Sequence, residues 1–244
     1  MQALRQHIVI TGASAGIGAE LARQFASEGR TLVLCARRVG PLEELKASLP
    51  GRILVRELDV TDAEAVFTVF AAVAAELGRV DRVIVNAGIG KGRPIGTGGF
   101  AENLETVETN LVGALAQCEA AMEIFRRQNA GHLVVVSSMA ALRGLPGAVT
   151  AYSATKAGLS ALAEGIRVDV TGTPITVTTV LPGYIRSQMN PRPGRLISDT
   201  EPAVRAMVAA IEREPRRAYV PSWPWRVLAP VLRHLPARLL KKAT

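Results

Sequence analysis

The sequence predicts an α/β protein: a single domain built on a doubly wound parallel sheet of about seven strands. Short apolar runs alternate along the chain with longer amphipathic segments, which is the pattern of repeated βαβ units. Glycines at 29, 78 and 131 stand where predicted helices should end. The chain has 244 residues, 48% of them hydrophobic and 20% charged, which suits one globular domain with a substantial core.

The alternation divides the chain into a long α/β part, residues 1–222, and a basic tail, residues 223–244, that is rich in Trp, Pro and Leu. Strands are predicted near residues 7–11, 31–36, 52–57, 80–85, 131–137, 174–181 and 217–221. Helices are predicted near residues 16–29, 41–48, 62–77, 103–129, 151–170 and 201–213.

A glycine-rich turn follows the first predicted strand and leads into the first predicted helix. Gly12 allows a tight turn, and Gly16 and Gly18 allow another backbone or a ligand to approach closely. The start of the helix offers free N–H groups and a positive dipole end to a pyrophosphate. A glycine-rich turn alone is a weak signal, but this strand–turn–helix context favours a dinucleotide site over residues 1–222.

Tyr152 and Lys156 lie four residues apart in a predicted helix, so their side chains share one face. An ammonium beside a phenol favours the phenolate, and we expect it to lower the pKa of Tyr152 towards neutrality. Tyr152 would then serve as an acid or base near physiological pH. Taken alone, an exposed Tyr and Lys on one helix face is the commoner explanation of this spacing.

Together, T-G-x-x-x-G-x-G at 11–18 and Y-x-x-x-K at 152–156 resemble the short-chain dehydrogenase/reductase family. Other matches follow in the order of that family over about residues 5–190, and they are Asp59-Val60, Asn86-Ala87-Gly88, Asn110, Ser138 and Pro182-Gly183. The resemblance implies a Rossmann-like fold and an oxidoreductase that acts on CH–OH or C=O groups with a nicotinamide cofactor. Val85 departs from it, since the family often has Asn there, and the chain after residue 190 does not look like the family's common C-terminus.

The end of the second predicted strand indicates which cofactor is used. In this fold a carboxylate there binds the adenosine ribose and selects NAD, but the corresponding residue is Ala36. Arg37 and Arg38 follow directly, and a guanidinium binds a 2′-phosphate well. We therefore predict NADP(H), with Arg37 dominant and with Ser14 adding a hydroxyl donor. A solvated basic pair at the start of a helix is the alternative.

The resemblance also assigns roles to the matched residues. It implies that the cofactor is bound by Gly12, Ser14, Gly16, Ile17, Gly18, Arg37, Arg38, Asp59, Val60, Asn86, Ala87, Gly88, Tyr152, Lys156, Pro182, Gly183, Ile185 and Ser187. It implies that the catalytic residues are Asn110, Ser138, Tyr152 and Lys156. No metal site is predicted.

Each catalytic residue has an implied task. Tyr152 exchanges a proton with the substrate oxygen, and Lys156 lowers the pKa of Tyr152 and binds the nicotinamide ribose. Ser138 holds the carbonyl oxygen, and Asn110 positions a water next to Lys156. Simpler explanations exist for single residues: Asp59 could cap the next helix, Ser138 could be a turn residue, and Asn110 could be a solvated polar group.

The predicted activity is hydride transfer between NADP(H) and a small carbonyl or alcohol substrate. One alternative is a reductase at a membrane surface that acts on a lipid-like ketone. The other is a nucleotide sensor without catalysis, although such relatives usually lack the Tyr or the Lys. We expect the substrate pocket to be built by residues 143–146, 88–100 and 184–200. By resemblance, a homodimer or homotetramer would form through the helices near 103–129 and 151–170.

The net charge of +8 is concentrated in the tail region, because residues 213–244 hold eight Lys or Arg and one Glu. We therefore predict no binding to nucleic acid. Cys35 and Cys118 suggest no disulfide framework, and the chain begins only a few residues before the first strand. These features predict a cytoplasmic protein, with peripheral membrane contact as an alternative.

The tail itself leaves three interpretations open. Leu228, Val231, Leu232, Leu235 and Leu239 fall at helical spacing on one face, and prolines at 224, 230 and 236 divide the segment into short helical pieces. The segment could pack on the body or on a sister subunit, lie in an anionic membrane surface, or cover an apolar substrate pocket.

Overall fold

The computed structural model describes residues 5–186, 198–236, 238 and 240. Within them, seven parallel strands form one sheet in the order β3-β2-β1-β4-β5-β6-β7. The strands are β1 (His7–Thr11), β2 (Thr31–Ala36), β3 (Ile53–Glu57), β4 (Arg82–Val85), β5 (Gly131–Val136), β6 (Ile175–Pro182) and β7 (Arg217–Val220). The strand order reverses between β1 and β4, and ligands bind at such a reversal in open α/β sheets. The predicted fold class is confirmed.

Helices connect the strands. They are α1 (Gly16–Ser27), α2 (Val39–Ala47), α3 (Ala63–Leu77), α4 (Phe100–Val107), α5 (Gly113–Gln128), α6 (Thr150–Asp169), α7 (Thr200–Glu212) and α8 (Ser222–His234). The helix predicted over 103–129 instead begins at Phe100 and comprises α4, a π-helical turn over Glu108–Val112, and α5. A π turn inserts an extra residue into the helix, which the 3.6-residue periodicity of apolar residues does not reveal.

The core lies on both faces of the sheet. Along β1, Ile8 and Ile10 face one apolar cluster, which includes residues of α1 and α7. Val9 faces the other, which includes residues of α3, α5 and α6. Because successive residues of a strand point to opposite faces, the near-continuous apolar strands are those of a sheet covered on both sides.

A buried ionic network joins the amino ends of the central strands. Arg82 of β4 is fully buried; its Nε donates to Nδ1 of His132 at 2.9 Å, and its Nη1 donates to Glu212 at 2.6 Å. Arg5 donates to Glu214 at 2.8 Å, and Glu214 lies 3.6 Å from Nη2 of Arg82. Burial acts to raise the pKa of Glu214, but Arg5, His132 and a hydrogen bond from the Thr176 hydroxyl lower it to about 2. The network holds the amino-terminal ends of these strands together, at the opposite end of the sheet from the loops that follow the strands.

None of the helices in the described part of the chain combines the length and the apolar character needed to span a bilayer.

Candidate active site

A cavity of about 990 Å³ opens at the carboxyl ends of the strands, where the loops after β1, β2, β4, β5 and β6 meet. All the predicted cofactor residues that the structure describes line this cavity, and Ser187 lies outside the described residues. Of the predicted catalytic residues, Ser138, Tyr152 and Lys156 line it, whereas Asn110 is fully buried behind its wall.

The glycine-rich turn after β1 forms a cradle that only small residues permit. Gly12 has a φ of +64°, which L side chains rarely adopt. A Cβ at Gly18 would overlap the carbonyl oxygen of Gly12 and lie 2.7 Å from Nδ2 of Asn86. The Asn86 amide donates to the Thr11 carbonyl oxygen at 2.9 Å, which ties the end of β4 to the turn. With the start of α1 beside it, this cradle suits a pyrophosphate group.

Two arginines line the cavity at the end of β2. Arg37 and Arg38 are exposed, and Nη1 of Arg37 lies 4.0 Å from the Asp59 carboxylate. Burial acts to raise the pKa of Asp59, but hydrogen bonds from the backbone N–H and hydroxyl of Thr61, together with Arg37, hold it below its usual value. The following helix is capped by Asp62, whose side chain accepts from Ala65 N–H at 3.0 Å, so Asp59 does not cap it.

Tyr152 and Lys156 of α6 face Ser138 at the end of β5. The ammonium Nζ of Lys156 lies 5.9 Å from the centroid of the Tyr152 ring. Ser138 begins a short 3-10 helix, Met139–Leu142, and its Oγ accepts from Ala140 N–H at 3.1 Å. A hydrogen bond between Ser138 and Tyr152 favours the phenolate form. The three polar groups therefore meet on one wall of the cavity.

The pKa of Tyr152 differs from the sequence prediction of a value near neutrality. Burial raises it above its ordinary value, and the hydrogen bond from Ser138 only partly opposes this effect. The Lys156 ammonium is itself buried, and burial lowers its pKa to about 8. Desolvation disfavours both the Tyr152 phenolate and the Lys156 ammonium. This effect outweighs the attraction between the two charges that the helical spacing predicts.

Asn110 lies within the π turn and joins two elements of the site. Its Oδ1 accepts from Ile89 N–H, and its Nδ2 donates to the Ile89 carbonyl oxygen, both at 2.8 Å. Nδ2 also approaches the Thr155 hydroxyl at 3.4 Å. A Cβ at Gly88 would lie 3.1 Å from Asn110 Oδ1 and 3.5 Å from Lys156 Nζ. Asn110 is thus neither solvated nor isolated, and it fixes the loop after β4 close to Lys156.

Sequence reasoning missed two residues that position the site. The Ser137 hydroxyl donates to the Lys156 carbonyl oxygen at 2.9 Å and contacts the Ser160 hydroxyl at 2.7 Å. The Thr155 hydroxyl donates to the Tyr152 carbonyl oxygen at 2.7 Å. The available signal was their position, since each is next to a predicted catalytic residue.

Known proteins resemble this chain over most of its length. The model of the short chain dehydrogenase family matches residues 6–194. The chain belongs to this family. An uncharacterized oxidoreductase of Mycobacterium tuberculosis is 50% identical over 245 residues, which cover 98% of this chain and 97% of the relative.

Solved structures show how far the fold is shared. A short-chain dehydrogenase from Streptomyces avermitilis has a TM-score of 0.83 at 28% identity and covers 100% of this chain and 97% of its own. An alcohol dehydrogenase from Thermococcus sibiricus, complexed with 5-hydroxy-NADP, has a TM-score of 0.79 at 26% identity and covers 88% of this chain and 94% of its own.

In the present chain the family match ends at residue 194, before α8. Helix α8 packs against β7 and the Met139–Leu142 helix. Trp225 is buried, and it lines the cavity with Leu228, Leu232 and Leu235. Helix α8 therefore fits two of the three interpretations of the tail at once, since it packs on the body and also covers the pocket. Val231, predicted on the same face, is instead 54% exposed, and Leu239 lies outside the described residues.

Pro230 lies inside α8 and does not end it, contrary to the predicted short helical pieces. The helix is interrupted at Trp223, whose φ of −99° and ψ of 132° are extended, and Pro224 follows. Proline is well suited to the first turn of a helix, where its missing N–H has no intrahelical partner. The Nη1 of Arg143 donates to the Leu235 carbonyl oxygen just after α8 and so holds the end of the helix to the body.

Proposed function

We propose that this protein is an NADP(H)-dependent oxidoreductase that interconverts a carbonyl compound and an alcohol. The observation that carries the proposal is the convergence of Ser138, Tyr152 and Lys156 on one wall of a cavity whose far end is the glycine cradle. Membership of the short-chain dehydrogenase family supports the reaction class, and the residues of this chain support the particular roles given below.

NADP(H) is favoured over NAD(H) by the end of β2. Ala36 offers no carboxylate to the adenosine ribose, while Arg37 and Arg38 line the cavity beside it and have exposed side chains. Two guanidinium groups suit a phosphate monoester better than a hydroxyl pair. The Thermococcus alcohol dehydrogenase with a bound NADP derivative has the same fold, which supports the assignment. When bound, the cofactor would supply or accept the hydride.

The side chains would handle the proton and the substrate oxygen. In reduction, the Tyr152 hydroxyl gives its proton to the oxygen that becomes the alcohol, and in oxidation it takes that proton back. The Ser138 hydroxyl donates a hydrogen bond to the same oxygen and stabilises developing negative charge. The Lys156 ammonium stabilises the Tyr152 phenolate left after transfer, since it lies 5.9 Å from the ring centroid. Asn110 keeps the neighbouring loop in place.

The test is a titration of the purified full chain with NADPH and, separately, NADH, followed by cofactor fluorescence, and then turnover assays with a panel of ketones and aldehydes. We expect much tighter NADPH binding and consumption of NADPH in step with alcohol formation. Preferential binding of NADH would overturn the cofactor assignment. Binding of neither would overturn the proposed function, and binding without turnover of any carbonyl compound would favour the nucleotide sensor.

Two exposed apolar surfaces are candidates for contact with a partner. Leu104, Val112 and Leu115, along α4, the π turn and α5, are 38%, 53% and 42% exposed, and we propose that a second copy covers them.

On the outer side of α8, Trp223, Val227 and Val231 are 74%, 57% and 54% exposed. This apolar stripe beside basic residues favours the second candidate function, a reductase at an anionic membrane surface.

The membrane candidate is tested by flotation with vesicles that contain anionic phospholipid. Substitution of Trp223, Val227 and Val231 by Ser leaves the inner side of α8 in place, whereas truncation before α8 would remove part of the cavity wall. Loss of flotation in the triple variant supports the candidate. Equal flotation of the variant and the unchanged chain removes it.

A further inference from the structure

Helix α8 forms the wall of the cavity next to the proposed catalytic residues. Trp225 and Ala229 are buried in a cluster with Met139 and Leu181, and Leu228 and Leu232 pack against it. Met139 directly follows Ser138, so the cluster begins beside the proposed carbonyl site. The inner side of α8 therefore faces the place where a substrate would extend away from the reacting oxygen.

The described lining of this end is largely apolar. From α8 and the residue after it come Trp225, Leu228, Leu232 and Leu235, and from the β5–α6 connection come Leu142, Leu145 and Val149. Among the described lining residues the one acid is Asp59, at the other end of the cavity. Arg143 also lines it, but its guanidinium is bonded to the Leu235 carbonyl oxygen. Burial of a ligand's apolar groups against such a surface stabilises the complex.

One polar atom in this wall has no partner. Trp225 is 3% exposed, and its indole Nε1 makes no hydrogen bond within the described part of the chain. The five-membered ring of the indole lies against Gly183, where a Cβ would overlap Nε1 and Cε2. Gly183 itself lines the cavity. An indole N–H is a donor only, and when buried it usually has an acceptor.

We propose that the substrate is a ketone, or the corresponding alcohol, with an extended apolar chain that lies on α8 and a second oxygen that accepts a hydrogen bond from Trp225 Nε1. This inference rests on the proposed function and gives its substrate class. It accounts for both features of the wall, since the leucines contact the apolar chain and the indole N–H receives its missing acceptor.

The first experiment reads binding without turnover. The chain has two tryptophans, so Trp223→Phe leaves Trp225 as the single indole reporter in the cavity wall. Titration of this variant with 2-butanone, 2-hexanone, 2-octanone and 2-decanone, with and without NADP+, should change its fluorescence. We expect the affinity to rise about threefold to fourfold for each added methylene. Affinity that does not depend on chain length would overturn the proposal.

Two variants on opposite sides of α8 locate the effect. Leu228→Gln places an amide on the cavity side and should weaken 2-decanone binding about tenfold or more, with 2-butanone almost unchanged. Val227→Gln is the matched control, because Val227 is 57% exposed on the outer side of the same helix, and it should bind both ketones normally. Equal effects of the two variants would contradict the role of the inner side.

The second oxygen is tested by calorimetry with decane-2,4-dione, decane-2,5-dione and decane-2,6-dione against 2-decanone. We expect at least one dione to bind the unchanged protein about tenfold more tightly, and we expect Trp225→Phe, which keeps an aromatic ring, to lose that preference. No preference for any dione would overturn the assignment of Nε1. Ketone binding with the expected trends but without reduction would instead contradict the proposed function alone.

Discussion

Lys156 donates a hydrogen bond from its buried ammonium Nζ to the Val136 carbonyl oxygen at 3.0 Å, and no carboxylate in the described residues pairs with it. A buried charge of this kind is costly to the folded state unless it is compensated. Under the proposed function, this charge beside Tyr152 serves the chemistry at the expense of stability.

Replacement of Lys156 by Met should stabilise the protein at pH 7 and abolish turnover. Burial lowers the pKa of Lys156 from 10.5 to about 8, so the unfolded chain binds more protons than the folded one between these values. Stability of the unchanged protein therefore rises with pH across this interval, and the cost of the charge is fully present below it. We expect the free energy of unfolding of the variant to exceed that of the unchanged protein by about 3 kcal/mol at pH 7, and we expect this difference to disappear near pH 11.

The measurement is urea denaturation at pH 7 and at the highest pH at which unfolding is reversible. Lys46→Met is the control, because Lys46 is exposed and its substitution should change little at either pH. A Lys156→Met protein that is less stable than the unchanged chain at pH 7 would contradict the cost assigned to the charge.

Tyr152→Phe should lower turnover by about two to four orders of magnitude and leave NADPH affinity within twofold. The ring stays in place, while the hydroxyl that would carry the proton is lost. Steady-state kinetics and a cofactor titration on the same preparation separate the two effects. Near-normal turnover would reject Tyr152 as the proton donor.

Tyr152 in the ligand-free protein should ionise above the ordinary pKa of 10.0, because burial raises its pKa and Ser138 only partly offsets this. Ultraviolet difference titration of the unchanged protein against Tyr152→Phe isolates its transition from those of the other two tyrosines. In this state Tyr152 should stay protonated throughout neutral and mildly alkaline pH. An ionisation near pH 7 would restore the value predicted from the helical spacing with Lys156.

Arg37→Ala should weaken NADPH binding about tenfold to a hundredfold and leave NADH binding unchanged, since one charge-assisted contact to a phosphate would be lost. Arg38→Ala should have a smaller effect. Arg52→Ala is a matched control, because this exposed arginine pairs with Glu76 away from the cavity. Equal losses of NADPH and NADH affinity in Arg37→Ala would show that Arg37 does not read the 2′-phosphate.

Glu214→Gln should destabilise the protein by about 3 to 5 kcal/mol at pH 7, because it leaves Arg5 and Arg82 without their shared carboxylate. The pKa of Glu214 is lowered from 4.5 to about 2, so its stabilising charge is present above pH 4.5 and is lost as the pH falls towards 2. The difference between variant and unchanged protein in urea denaturation should therefore shrink below pH 4.5. A difference that stays constant down to the acid limit would exclude the charge as its cause.

The sequence predicted the sheet well, because parallel strands that are buried on both faces give near-continuous apolar runs that are easy to recognise. Apart from the start of α4, the ends of the predicted strands and helices in residues 1–222 lie within two residues of those observed. The exception contains the π turn at Glu108–Val112, where one inserted residue changes no composition pattern.

Most of the residues that line the cavity between the glycine turn and Tyr152 could be named from the sequence, but the electrostatics there and the wall formed by α8 could not. The spacing of Tyr152 and Lys156 places them on one face, yet the direction of the Tyr152 pKa depends on burial that only the packed structure reveals. For α8, the periodicity identified an apolar face but assigned Val231 to it, because the rotation of a helix about its axis is decided by its neighbours. The exposed stripe of Trp223, Val227 and Val231 is the result.

The proposed cofactor cradle and the proposed substrate wall come from different parts of the chain. The cradle and the residues proposed to handle the proton lie within residues 6–194, which match the family, while α8 follows after β7. Under the proposed function, substitutions on the inner side of α8 would change which substrates fit while the glycine turn after β1 keeps its own contacts with Asn86. The choice of substrate would then be set largely by a helix that lies outside the family match.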